Sequence, residues 1–239
     1  RQFLGYALTE TTPDHSSLSR IRQRLPLEVH QEVFNWVLKV LALEGLLKGK
    51  SVAVDATTLE ANAALRSIVR RDTGEDYDDY LKGLAQAEGI ETPTRQDLAK
   101  LDKKRPKKGS NDDWQHPHDP DARITKMKDG RTHLAHKAEH TVDLDTQAIV
   151  AINVCGADEG DTESLPWSLI QASMNLEEII VDEAVRKQLE PPSLIAEVVT
   201  DKGYHSNYTA KTLKAADVRS YLSEPDRGRR QWKDDPEAQ

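Results

Sequence analysis

Two short stretches whose aspartates stand 146 positions apart (201 − 55) share one grammar. In Lys50-Ser51-Val52-Ala53-Val54-Asp55, valines alternate with small residues, the period of a short and largely buried β-strand. An aspartate then follows at once. Ile195-Ala196-Glu197-Val198-Val199-Thr200-Asp201-Lys202-Gly203 repeats the pattern: a β-branched run, an aspartate, then a turn that Gly203 can sharpen. A carboxylate among valines is costly unless it has a partner or reaches water. One such stretch reads as a strand ending in a solvated Asx-type turn. Two allow more. Parallel neighbouring strands would bring both aspartates to the carboxyl-end edge of one sheet, where ligands of open α/β sheets collect. Oxygen ligands about 4–5 Å apart suit Mg²⁺ or Mn²⁺, which take a few carboxylates plus waters and phosphate oxygens.

Around these strands the chain reads as mixed α/β. Residues 1–49 are helical: Asp14 or Ser16 can cap a helix bearing Leu18, Ile21 and Leu25, and Pro26 separates it from a second helix with a broad stripe of valine, leucine and tryptophan. After the first strand, 61–68 reads as a short helix. Residues 66–122 read as an insertion, part helix (Leu81–Glu88) and part loop, with Lys100–Lys108 in a mobile segment. Thr141–Val154 reads as strand, turn, strand about Asp145-Thr146. A helical stretch then spans Leu165–Leu189, with Ile179-Ile180-Val181 as an alternative short strand. The second acidic strand, a helix over 208–216 and a last strand over 218–222 complete the order. Residues 157–165, rich in acids, read as a capping loop without a catalytic role.

Composition bounds the function. Of the 239 residues 37% are hydrophobic and 31% charged, and no apolar run approaches a membrane span. Cys155 stands alone, which rules out an intrachain disulfide and a cysteine zinc site. A soluble cytoplasmic protein is the expectation. The formal net charge of −8 argues mildly against nucleic acid, although patches matter more than totals. Arg20, Arg22 and Arg24 form one basic cluster, Lys100 to Lys108 a second, and Arg227, Arg229, Arg230 and Lys233 a third. His116, His118, Asp119 and Asp121 mix imidazole and carboxylate as transition-metal sites do, but a proline-flanked loop more often leaves such residues merely exposed. His133, His136 and His140 fall on both faces of a strand, which argues against a single zinc site.

Val54-Asp-Ala-Thr-Thr-Leu-Glu-Ala-Asn62 and Thr200-Asp-Lys-Gly-Tyr-His-Ser206 resemble the first two acidic motifs of bacterial insertion-sequence transposases of the DDE class. Thr12-Pro-Asp-His-Ser-Ser-Leu-Ser-Arg-Ile-Arg22 and Ser223-Glu-Pro-Asp-Arg-Gly-Arg-Arg230 extend the resemblance over most of the chain. It implies a ribonuclease-H-like mixed sheet (50–239) with an N-terminal helical region (1–49) that serves DNA binding and the insertion after the first strand. In such a sheet the first and fourth strands are parallel neighbours, so Asp55 and Asp201 would meet. It implies metal-dependent cleavage and joining of DNA at insertion-sequence ends, with Asp55 and Asp201 as catalytic metal ligands for Mg²⁺ or Mn²⁺. DNA ends, target DNA and self-association on DNA are the implied partners. Arg20, Arg24, Lys137, Lys202, Tyr204, Arg227, Arg229 and Arg230 are the candidate DNA contacts. The family's third acid, a glutamate on a helix beyond the Arg-rich segment, has no counterpart up to Gln239. Glu224 and Glu237 do not sit in its motif, and Glu60 would face away if the first strand continues. The expectation is a fragment truncated at both ends, inactive as it stands. A ribonuclease-H-like nuclease and a non-catalytic DNA-binding remnant are the alternatives.

Overall fold

The computed structural model describes residues 5, 7, 9–12, 14–105, 109–189 and 195–224. Asp14 caps α1 (His15–Arg24) by accepting from the Ser16 N–H, and Pro26 stands at the N-cap of α2 (Leu27–Leu43). The apolar stripe of α2 sends Leu38 and Ala42 into the same core as the sheet, whereas α1 buries nothing. The second helix is thus part of the main body rather than a separate appendage.

β1 runs from Ser51 to Glu60, five residues past Asp55. The helix expected over 61–68 shrinks to one 3₁₀ turn at Leu65–Ser67. The reason is the partner strand. β1 pairs antiparallel with a long strand over Thr132–Asp143 at every position from Val52 to Glu60, and the β-branched Thr57 and Thr58 suit that ladder. In between lies the insertion: β2 (Val69–Arg70), α3 (Tyr77–Ala87), α4 (Arg95–Lys104), β3 (Trp114–Gln115) and β4 (Arg123–Lys126). Its small core gathers Ile68, Trp114, Ala122 and Leu134, with Tyr77 and Tyr80 edge-on to Trp114. Lys100, Lys103 and Lys104, expected in a mobile loop, lie on α4. A capping box between Thr94 and Asp97 starts that helix and buried Leu101 anchors it.

The long strand, β5 (Thr132–Asp143), turns through 144–148 into β6 (Ile149–Gly156). α5 (Asp161–Ile179) and α6 (Glu183–Gln188) lead to β7 (Glu197–Thr200), and α7 (Asn207–Ala215) leads to β8 (Arg219–Leu222). Of the alternative strand Ile179-Ile180-Val181, Ile179 instead closes α5, and Ile180 and Val181 lie in the turn between α5 and α6. The result is one six-stranded mixed sheet, ordered β4-β5-β1-β7-β8, with β6 beside β5. β1 and β7 are parallel neighbours in register from Ser51 opposite Glu197 to Val54 opposite Thr200, and β8 extends the parallel side.

Candidate functional site

Register decides which side chains share a face, because successive residues of a strand alternate. Val52 and Val54 are buried against α5, together with Val198 of β7. Asp55 therefore stands on the opposite face, and it is exposed. Asp201 is the first residue after β7. Continuing the register by one step sets it beside Asp55, one strand spacing (about 4.8 Å) away. It too is exposed.

Neither aspartate is heavily engaged. Asp55 Oδ1 accepts the Ala56 N–H at 2.9 Å, and Asp201 Oδ1 accepts the Gly203 N–H at 2.8 Å, capping the 3₁₀ turn Lys202–Tyr204. Among the described residues no Lys, Arg or His lies within ion-pair distance of either. Two oxygen-rich side chains on one edge, with lone pairs to spare, match what Mg²⁺ or Mn²⁺ takes from a protein, one or two carboxylates with waters completing the shell. The described residues hold no group of three or more His, Cys, Asp or Glu arranged for a metal, so the donor set stands at two.

Beneath the pair, on the α5 face, lies a buried polar network. Ala56 pairs with Glu139 and Thr58 with Lys137, so Glu139 and Lys137 share the face of Val54. Glu139 is 0% exposed, yet it is the acceptor for three hydroxyls. Tyr204 Oη and Ser164 Oγ each donate to Oε1 at 2.8 Å, and Ser168 Oγ donates to Oε2. Lys137 Nζ lies 3.5 Å from Glu139 Oε1, donates to Ser164 Oγ at 2.7 Å and pairs with Asp161 Oδ1 at 2.6 Å. Asp161, the first residue of α5, closes the arrangement at Gly203. A Cβ at position 203 would collide with the Asp161 carboxylate and stand 3.1 Å from Asp201 Oδ1. Only glycine fits between those two acids.

The structure thus divides the sequence candidates. Asp55, Asp201 and exposed Lys202 come together where β7 ends beside the middle of β1. Tyr204 and Lys137 do not face solvent: they are 1% and 5% exposed and are held by Glu139, Ser164 and Asp161, so neither stands ready for a phosphate. Burial first, then the Glu139 carboxylate, pushes the Tyr204 phenol far above its ordinary value, which keeps it a donor. Arg20, Arg22 and Arg24 are exposed on α1 and make no contact with the acidic pair. Arg227, Arg229, Arg230, Lys233 and Glu237 lie outside the described residues.

Glu60 is five positions beyond Asp55 on the same strand, hence on the other face, and its carboxylate holds His133 Nδ1 at 2.6 Å. Glu224 Oε1 lies 3.7 Å from His205 Nε2. Asp119 engages His136 at 3.1 Å and the Ala122 N–H at 3.3 Å, both outside the quartet, while His116 Nδ1 accepts from the His118 N–H, so the four side chains do not converge on one point. Sequence reasoning missed Glu139 and Asp161. One signal was present for the first: Lys137 and Glu139 are opposite charges at i and i+2, the same face of a strand. No protein-family model and no curated protein matches this chain.

Proposed function

We propose that this protein is a DNA transposase of the DDE class, built on a ribonuclease-H-like sheet, whose Asp55 and Asp201 hold Mg²⁺ or Mn²⁺ for phosphoryl transfer. The observation that carries the reading is the pair itself: two exposed aspartates, side by side where β7 ends against the middle of parallel β1, with lone pairs to spare. A central strand flanked by an antiparallel and a parallel neighbour supports the fold assignment. When bound, the metal supplies activation of a water or 3′-hydroxyl and stabilisation of the leaving oxygen. The chain's own residues orient that chemistry. Asp55 is fixed mid-strand by its pairing with His140 of β5, one residue past the end of the β7 ladder, and Asp201 by the turn it caps. Lys202, exposed beside Asp201, is placed to meet a phosphate. Arg20 and Arg24 supply cationic surface for the DNA backbone, away from the chemistry.

Calorimetric titration of the chain with MnCl₂ tests this. One saturable event should appear, and Asp55→Asn and Asp201→Asn should each abolish it. Heat that survives both substitutions overturns the reading. Binding to a duplex should weaken steeply as salt rises, and replacing Arg20 and Arg24 with glutamine should flatten that slope by about one unit per lost phosphate contact.

A further inference from the structure

The network around Glu139 has a geometry that packing alone does not require. It joins three elements: β5, through Lys137 and Glu139; the start of α5, through Asp161, Ser164 and Ser168; and the turn after β7, through Tyr204. Two of its ends bear on the turn carrying Asp201. Tyr204, three residues after that aspartate, is tied by its hydroxyl to Glu139, and Asp161, held by Lys137, fills the space that leaves room only for glycine at 203. The other side of β5 is the ladder to β1, where Glu139 pairs with Ala56, the residue next to Asp55.

We propose that Glu139 and Lys137 are positioning residues that set the Asp201 turn against Asp55, fixing the spacing of the two carboxylates. This rests on the metal-binding reading of that pair. Within the network Glu139, Lys137 and Tyr204 are buried, and Asp161 is part-exposed across Gly203 from Asp201. The network acts through Tyr204 and through Asp161, both of which bear on the turn. Lys137, for which the sequence proposed a phosphate, is spent on this internal role: its ammonium is neutralised by Asp161 and Glu139 inside the protein.

The test uses two readouts on the full chain. The first is exchange of the Gly203 amide, which donates to Asp201 and so reports whether the turn is held, followed by NMR without metal. The second is Mn²⁺ affinity by calorimetry. The variants are Tyr204→Phe, which removes one hydroxyl and keeps the ring, Glu139→Gln, and Lys137→Met, with melting curves to confirm folding. Expected is at least tenfold faster Gly203 exchange and roughly tenfold weaker Mn²⁺ binding in Tyr204→Phe, with larger losses in Lys137→Met. Glu139→Gln, which keeps an oxygen acceptor for Tyr204, should retain more of both than Lys137→Met. Unchanged Gly203 exchange in folded Tyr204→Phe and Lys137→Met overturns the positioning role, whatever the metal does. Faster exchange in a protein that binds no Mn²⁺ overturns the metal reading and upholds the mechanical one. Faster exchange with undiminished Mn²⁺ affinity shows that the turn's rigidity does not set the carboxylate spacing, and the proposal fails.

Discussion

The two faces of the central sheet treat their acids in opposite ways. On the α5 face, Glu139 and Asp143 are each 0% exposed and well supplied with donors. Glu139 takes three hydroxyls, and Asp143 takes the backbone N–H groups of Lys48, Gly49, Asp145 and Thr146. On the open face, Asp55 and Asp201 sit side by side, each satisfied by one nearby backbone N–H. Burying a carboxylate is tolerable only when its lone pairs are filled from within. Exposed carboxylates placed next to each other repel, and among the described residues no cation lies within ion-pair distance of either. Acids whose capacity is used internally hold the structure. Acids whose capacity is left open are available to a cation.

The largest effect that should separate the faces is on stability. Glu139→Ala removes the acceptor of three buried hydroxyls and one of the two carboxylates beside Lys137, which keeps Asp161, and a urea melt should show a loss of about 3–5 kcal/mol, the range for breaking a buried charged pair. A loss below about 1 kcal/mol would mean that water reaches the network and that the contrast is weaker than drawn. Tyr204→Phe removes one hydrogen bond to a carboxylate and should cost about 1.5–3 kcal/mol. Asp55→Asn should sharpen the comparison from the other side. Without metal its stability should stay within about 0.5 kcal/mol of the parent, as exposed substitutions do, or rise slightly as repulsion with Asp201 is relieved. A large loss would make Asp55 structural too.

The smallest effect lies at the far end of β1, where His133 contacts Glu60 at 2.6 Å and Asp129 at 3.2 Å. The hydrogen bond to Glu60, then that to Asp129, raises the imidazole above its ordinary value of about 6.5. The fold therefore favours the protonated ring. Its contribution is fully present below the ordinary value and is lost as pH climbs through the higher folded one. An NMR titration should show the His133 midpoint above the ordinary value of about 6.5, and Glu60→Gln should bring it down.

The open face was far more legible in the sequence than the buried one. Val52, Val54 and Asp55, then Val198, Val199 and Asp201, announce strands ending in acids because apolar alternation and its interruption are local signals. The adjacency of those strands is not local, and only the likeness to a known family anticipated it. The buried network gave almost no signal. On β5 the residues facing the core are Lys137, Glu139, Thr141 and Asp143, a polar set that periodicity alone assigns to solvent. Their burial depends on Ser164, Ser168 and Tyr204 arriving from elements far along the chain. Asp161 reads as an exposed or capping acid in a loop before a helix at Leu165, whereas α5 starts at Asp161 itself, and that position brings its carboxylate to Lys137 and Gly203. The length of β1 was missed for the same kind of reason: the ladder to β5, not the propensity of 56–60, extends it.

The long reach of the β1–β7 pairing has a consequence in time. Ser51 Oγ meets Glu197 across 146 positions of chain, whereas β5 and β6 are joined by a five-residue turn. Closing a long loop costs more entropy than closing a short one, and non-local pairings form slowly. The β5–β6 hairpin, carrying Lys137 and Glu139, should therefore be in place before the strand bearing Asp201 docks. In refolding, pulse-labelled amides of 137–155 should gain protection ahead of those of 52–54 and 198–200. The two aspartates would then become neighbours only once that strand has docked, so a nascent or partly unfolded chain presents two separate acids.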